Sequence, residues 1–168
     1  MIQKHRKNGN FYLFIGFLMM AILFYSSSQT YEQQSQIGFL SQLLKNEPFK
    51  ELLSQISFSY AGSEVSIAKS GYFAFVEFFI RKGAHFGTYF ILGSSFFLGL
   101  NPRIKQYALT AIFAWLSATG YAALDEFHQM LTGGRSPLFQ DVALDAAGAF
   151  TGIVLCWLIL GIKNKRII

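Results

Sequence analysis

Four apolar stretches divide the chain and predict membrane-spanning helices. Each is 15 to 18 residues long and contains no acidic or basic residue: Phe11–Tyr25, Phe86–Leu100, Tyr107–Leu124 and Ala146–Ile162. A helix needs about 20 residues to cross a bilayer, so each stretch must extend into its polar neighbours. The predicted spans are therefore about 10–27, 82–100, 106–125 and 141–162, with a segment at 28–70 between the first two.

The basic residues lie in three short flanking segments. The residues before the first span, the 101–106 connection and the residues after the last span hold eight of the fourteen Lys and Arg and none of the nine acidic residues. The positive-inside rule predicts that these segments, including both termini, are cytoplasmic, and that every Asp and Glu lies outside. This topology explains the net charge of +5 without nucleic-acid binding. The first span, with basic residues before an apolar run that ends at Ser26–Ser28, could instead be a cleaved signal peptide. No clear small-x-small site follows it, so we expect an uncleaved anchor.

Composition supports one helical membrane domain over residues 1–168. Apolar residues make up 52% of the chain and charged residues only 14%, whereas a soluble domain carries about 25% charged residues. The single cysteine, Cys156, excludes an intramolecular disulfide and a thiolate metal cluster. The predicted fold is an all-α integral membrane bundle of about four transmembrane helices.

The 28–70 segment is predicted to contain two short amphipathic helices. One apolar stripe consists of Ile37, Leu40, Leu43 and Leu44. The second follows Asn46-Glu47-Pro48, a typical helix start, and consists of Phe49, Leu52, Leu53 and Ile56. Such helices could lie on the outer interface or cap the bundle, either as a lid or by simple surface packing.

Ionisable residues gather at the outer ends of the last three spans. Helical spacing places three groups on single helix faces: Lys82, His85 and Tyr89; Asp125, His128 and Gln129; Asp141, Asp145, Gly148 and Gly152. Charges that face lipid cost a few kcal/mol each, so these faces are expected to meet in one polar pocket. The alternative is a set of salt bridges without chemistry, as Arg81 and Glu77 would form.

Small residues at GxxxG spacing predict where helices approach closely. One pair is Gly83 and Gly87, and another is Gly148 and Gly152. The second pair continues the stripe below Asp145, which favours an inward orientation for that face.

Several separated motifs resemble the VanZ-like family of bacterial membrane proteins across residues 81–152. They are Lys82-x-x-His85-Phe-x-x-Tyr89-x-x-Leu92, Asp125-Glu126-Phe-His128-Gln129, Gly134-Arg135-Ser136, and Asp141-Val142 with Gly148. The resemblance implies a polytopic envelope protein whose founding member is linked to low-level tolerance of the glycopeptide teicoplanin. It implies no settled biochemical activity. Asp145 departs from the family pattern, which more commonly has Asn there.

The leading hypothesis is a pocket for the anionic headgroup of an envelope lipid or lipid-linked precursor. Lys82 and Arg135 would supply positive charge, and His85 and His128 could act as nucleophile, acid or base. The remaining candidate substrate-binding residues are Tyr89, Gln129, Ser136, Asp141 and Asp145.

The carboxylates of the pocket have two candidate roles. Asp125, Glu126, Asp141 and Asp145 could orient the histidines, with Asp125 and Glu126 as further catalytic candidates, or hold a divalent cation through their oxygens. No other cofactor is predicted.

Three function classes fit these residues. An enzyme would carry out phosphoryl transfer or hydrolysis on a lipid headgroup, and a binding protein would hold or move the lipid without breaking a bond. A proton- or ion-coupled transporter would use the carboxylates and histidines as a relay. Four spans are few for a transporter unless the protein forms a homodimer, which the sequence leaves open.

Overall fold

Four long helices and a small extramembrane cap make up the fold. The structure, a computed structural model, describes residues 2–133 and 137–165; the side chains at 2–8, 31, 133 and 163–165 lie outside the description. The described elements are, in chain order, α1 (Ile2–Ser27), α2 (Tyr31–Gln34), α3 (Ile37–Leu43), α4 (Lys50–Leu53), β1 (Ser57–Tyr60), β2 (Ser63–Ser66), α5 (Ile67–Ser70), α6 (Tyr72–Ile104), α7 (Tyr107–Gly133) and α8 (Phe139–Lys165).

Three of the long helices are apolar and long enough to cross a membrane. The candidate spans within the described residues are Gly9–Ser27, Tyr107–Thr132 and Phe139–Ile162. They coincide with the first, third and fourth predicted spans, and the chain is a helical membrane protein. The predicted count of four spans is not confirmed by hydropathy.

The predicted span 82–100 lies within α6, which packs against α1, α7 and α8. Polar residues such as His85, Ser94 and Ser95 reduce its mean hydropathy. A helix enclosed by three others can carry polar residues because its neighbours, and not lipid, surround them. With 33 residues it is about 50 Å long, well beyond the roughly 30 Å of a hydrocarbon core.

The seam between α6 and α8 is built on small residues. A Cβ added at Gly148 or Gly152 would overlap the backbone oxygen of Phe86 or Phe90, respectively, and one at Gly93 would lie 2.6 Å from the Ala149 oxygen. The prediction for Gly148 and Gly152 is therefore confirmed.

The other predicted small-residue pair does not mark a close approach. A Cβ added at Gly83 or Gly87 would meet nothing within 4 Å. The prediction that this GxxxG pair brings helices together is wrong. Spacing alone says nothing about which face of α6 meets a neighbour.

The two ends of the bundle differ in charge. At one end, the Arg103 guanidinium donates to Asn10 Oδ1 at 2.5 Å and so joins the beginning of α1 to the end of α6. At the opposite end, where α1 ends and α6 begins, lie Asp125, Asp141 and Asp145. We call this second end the acidic end.

The 28–70 segment follows the prediction only in part. The first helix is present as α3, whose Leu40 is buried while Phe39 and Leu43 are exposed. The second predicted helix is wrong in its start and extent, because α4 covers only Lys50–Leu53. Positive φ angles at Glu47 and Phe49, on either side of Pro48, turn the backbone away from a helical path.

A β-hairpin was missing from the all-α prediction. Strands β1 and β2 pair antiparallel, with Ser57 opposite Ser66 and Tyr60 opposite Ser63. The two connecting residues, Ala61 and Gly62, both have positive φ, as a two-residue hairpin turn requires.

The cap is attached to the first turns of α6. The backbone N–H of Gln36 donates to Glu77 Oε1 at 2.5 Å, and the Tyr72 hydroxyl donates to the Pro48 oxygen at 3.0 Å. Glu77 is buried. These contacts attach α3 and the turn at Pro48 to α6 at the acidic end.

We expect Gly148→Ala to lower the free energy of unfolding by about 1–3 kcal/mol, because the added methyl group forces α6 and α8 apart. Reversible unfolding in mixed micelles would measure the change. Gly87→Ala, at an open position, is the matched control and should be neutral or slightly stabilising. Equal effects of the two substitutions would contradict the seam.

Candidate functional site

An ion pair and a histidine–carboxylate pair between α6 and α8 form the centre of the site. Lys82 Nζ lies 2.6 Å from Asp141 Oδ1, and His85 Nδ1 lies 3.4 Å from Asp145 Oδ2. From the first pair to the second, the chain advances by about one turn in both α6 and α8, and in the same direction. The two helices are therefore parallel, and the pairs lie on successive turns. The polar faces of α6 and α8, which were predicted to meet, are in contact through these pairs.

Helix α7 adds two carboxylates with different partners. Asp125 is buried and accepts hydrogen bonds from the Ser27 hydroxyl and from Gln129 Nε2, the latter at 3.2 Å. Glu126 accepts the backbone N–H of Leu138 at 2.8 Å and so holds the start of α8. Glu126 also lies within electrostatic range of Lys82 and Asp141.

His128 lies apart from the pairs between α6 and α8. Its ring stacks on Phe24 of α1, with 4.3 Å between the ring centroids and 3° between the planes. The structure thus gives the two candidate histidines different surroundings, a carboxylate for His85 and an aromatic ring for His128.

Three buried polar atoms of the site have no hydrogen-bond partner among the described residues. They are Tyr89 Oη, Asp145 Oδ1 and His128 Nδ1. The Tyr89 side chain is fully buried, and its hydroxyl lies within electrostatic range of Asp125 and Asp145. Buried polar groups are normally paired, so unpaired ones in a cluster indicate a place for water or a ligand. We call the cluster of Lys82, His85, Tyr89, Asp125, Asp141 and Asp145 the polar pocket.

Tyr60 is a site residue that the sequence interpretation missed. The hairpin carries it over the polar pocket, where its hydroxyl donates to Asp141 Oδ1 at 2.5 Å. Lys82 Nζ lies 4.8 Å from the centre of the Tyr60 ring and 5.5 Å from that of Phe78, a cation–π geometry. The alternation of Ser57–Tyr60 before Ala61-Gly62 is the signal that could have revealed it.

The electrostatics of Tyr60 favour its role as a donor. Burial, followed by the hydrogen bond to Asp141, raises the pKa of Tyr60 above its usual range. The hydroxyl therefore keeps its proton at physiological pH. Asp141 is held from both sides, by the ammonium of Lys82 and by this hydroxyl.

Ser27 is a second missed residue, because the sequence places it only at the end of the first span. It is buried, its hydroxyl bonds Asp125, and its backbone oxygen accepts the Thr132 hydroxyl at 2.8 Å. It therefore joins α1 to α7 at the acidic end.

The predicted ligands of a divalent cation do not form a ready cluster. Among the described residues, no group of three or more His, Cys, Asp or Glu side chains is placed to hold a metal ion. Asp125, Glu126, Asp141 and Asp145 instead have the protein partners given above. The cation stays a prediction. Arg135 and Ser136 lie outside the described residues.

A double-mutant cycle tests the first ion pair. Lys82→Met should cost about 2 kcal/mol of unfolding free energy, because it removes a charged hydrogen-bond donor from Asp141. In combination with Asp141→Asn the cost should fall, giving a coupling of about 1–3 kcal/mol. Lys45→Met, at an exposed position, is the control. Strictly additive effects of Lys82→Met and Asp141→Asn would contradict the pairing.

Comparison with known proteins extends the region of similarity. The model of the VanZ/LLP1 family matches residues 11–160, which is most of the chain. The match includes the first span and the 28–70 segment, neither of which carries a motif of the resemblance. Comparison with curated proteins and with solved structures gives no match.

Proposed function

The chain belongs to the VanZ/LLP1 family, and from that premise we propose that its polar pocket binds the anionic headgroup of an envelope lipid or lipid-linked precursor. The observation that carries the proposal is the set of unpaired buried atoms, Tyr89 Oη and Asp145 Oδ1, beside the Lys82–Asp141 and His85–Asp145 pairs. A phosphate that entered the pocket would accept a hydrogen bond from Tyr89 Oη, and a hydroxyl or ammonium group of the headgroup would donate to Asp145 Oδ1. A contribution to glycopeptide (teicoplanin) tolerance is part of the proposal through the family resemblance.

The pocket offers an anion both positive charge and a donor. Lys82 and the Tyr60 hydroxyl now share Asp141 Oδ1. A phosphate would compete with this carboxylate for the same two groups, and Arg135 is the predicted second cation. Such competition makes binding depend on movement of the hairpin, because Tyr60 covers Lys82.

The enzymatic form of the proposal rests on His85 and Asp145. The Asp145 carboxylate orients the His85 imidazole through Nδ1. The other ring nitrogen, Nε2, is not engaged by Asp145. A base held in this way suits phosphoryl transfer or hydrolysis at a headgroup. In the binding form, the same residues hold the headgroup and no bond is broken.

An ion- or proton-coupled transporter is the second candidate. Asp125 and Asp145 are both buried near His85, and one oxygen of Asp145 is unpaired among the described residues. Buried ionisable residues within membrane helices are a recurring feature of proton relays.

Binding and turnover can be measured in one set of samples. We expect purified protein in nanodiscs to bind outer-leaflet lipids saturably. Lys82→Met and His85→Ala should each weaken this binding about tenfold, the equivalent of roughly 1.4 kcal/mol. Lys45→Met should bind like the unaltered chain.

The outcomes separate the function classes. Phosphate release that is lost in His85→Ala identifies an enzyme, and binding without release identifies a binding protein. Unchanged binding in both pocket variants would exclude the headgroup site. A pH gradient dissipated in proteoliposomes, without lipid selectivity, would favour the transporter.

The acidic end is proposed to face outward, with both termini in the cytoplasm, as the positive-inside rule predicts. We expect Ser59→Cys, in the exposed hairpin and in a Cys156→Ser background, to react with a membrane-impermeant thiol reagent in intact cells. Gln106→Cys, in the connection between α6 and α7, should react only after permeabilisation. The opposite pattern would invert the topology.

A further inference from the structure

A groove between α1 and α7 lies beside the polar pocket. Its volume is about 270 Å³, and its apolar lining consists of Phe24, Leu124, Phe127 and Leu131. The last three are more than half exposed. The groove belongs to two of the helices that are apolar enough to span a membrane, so its open side faces hydrocarbon.

Hydrogen bonds between α1 and α7 close the groove at both ends. The Tyr121 hydroxyl donates to the Met20 oxygen at 2.6 Å, and the Thr132 hydroxyl donates to the Ser27 oxygen at 2.8 Å. The donors are eleven positions apart on α7 and the acceptors seven positions apart on α1, a rise of about 16 Å and about 10 Å. One leaflet contributes about half of a 30 Å hydrocarbon core, so the groove lies within a single leaflet.

The polar residues of the groove connect it to the pocket. Asp125 lines the groove, yet it is almost fully buried and lies within electrostatic range of His85. His128 also lines the groove, and its Nδ1 has no hydrogen-bond partner among the described residues. An apolar groove whose wall includes a buried carboxylate and an unpaired imidazole nitrogen fits a molecule with an apolar chain and a polar head.

We infer that this groove holds an acyl chain of a phospholipid from the leaflet at the acidic end, beside the polar pocket. The open side in hydrocarbon, the extent within one leaflet and the polar residues in the groove wall together favour an acyl chain over a second protein. The identity of the headgroup rests on the proposed function; the site of the chain does not.

Photolabelling tests the inference. The full chain is placed in nanodiscs of phosphatidylglycerol and phosphatidylethanolamine that contain phosphatidylglycerol with a diazirine near the start of one acyl chain. After irradiation, mass spectrometry should find adducts concentrated on the α7 peptide around Leu124–Leu131 and on α1 near Phe24. Labelling should be about tenfold above that of equally exposed Leu116, the equivalent of roughly 1.4 kcal/mol.

Matched variants control for labelling by the bulk lipid that surrounds the protein. Leu124→Trp, and separately Leu131→Trp, fill the groove and should lower its labelling about tenfold. Leu116→Trp makes the same change on the same helix outside the groove, and should leave labelling unaltered. Melting temperature and elution volume identify any variant that fails to fold, and the two groove variants serve as replacements for each other.

Three results would overturn the inference. Equal labelling of lipid-facing residues inside and outside the groove means that the groove binds no lipid. Labelling by an isoprenyl phosphate probe without labelling by the phospholipid probe means that the occupant is not an acyl chain. Disulfide-linked dimers of Leu131→Cys in a Cys156→Ser background mean that a second copy covers the groove.

The failure of the headgroup proposal would look different. If Lys82→Met and His85→Ala leave headgroup selectivity unchanged while the groove is still labelled, the pocket proposal fails and the groove stands. If the two Trp variants lose groove labelling and keep headgroup selectivity, while Lys82→Met and His85→Ala lose headgroup selectivity, the groove proposal and the pocket proposal both stand.

Discussion

The close contact of α6 with α8 is the constraint on which the rest of the site depends. Gly148 lies against the backbone of Phe86, and this contact fixes the two parallel helices in one register. In that register Lys82 faces Asp141, and His85 faces Asp145 on the next turn. A shift by a single residue would rotate each carboxylate away from its cation, so backbone packing and charge pairing are one property of the seam.

The carboxylates of the polar pocket are each stabilised by residues from more than one element of the fold. Asp141 is held by α6 and by the hairpin, through Lys82 and Tyr60. Asp125 is held by α1 and by its own helix, through Ser27 and Gln129. Removing one partner leaves a partly satisfied carboxylate, which costs more than the lost bond alone because the site is poorly hydrated. The same density of partners means that a ligand must displace a protein group in order to bind.

Helical periodicity in the sequence predicted which polar residues share a face on α6 and on α8. It predicted that Lys82 and His85 share a face, and that Asp141 and Asp145 share another. It could not predict His128 against Phe24, because rotation of α7 relative to α1 is set by packing between distant segments. The two GxxxG pairs make the same point, since only the Gly148 pair meets a neighbouring helix.

The 28–70 segment was harder to predict because its signals are short and compete with one another. Asn46-Glu47-Pro48 is typical of a helix start, yet the left-handed backbone at Phe49 delays the helix. The hairpin strands have only four residues each, so the alternation of Ser57–Tyr60 is too short to be distinguished from a loop without the turn signal of Ala61-Gly62. Tyr60 was missed for that reason, although it contacts the pocket directly.

The bond between Ser27 and Asp125 has a consequence for biosynthesis. These residues are 98 positions apart, so at about 5–20 residues per second α1 emerges about 5–20 s before its partner on α7. A lone hydroxyl tolerates hydrocarbon during that interval far better than a carboxylate would. Segment 9–27 carries no charge, and the acidic residue of the pair belongs to the helix made later. The order of synthesis thus spares α1 an unpaired charge in the bilayer.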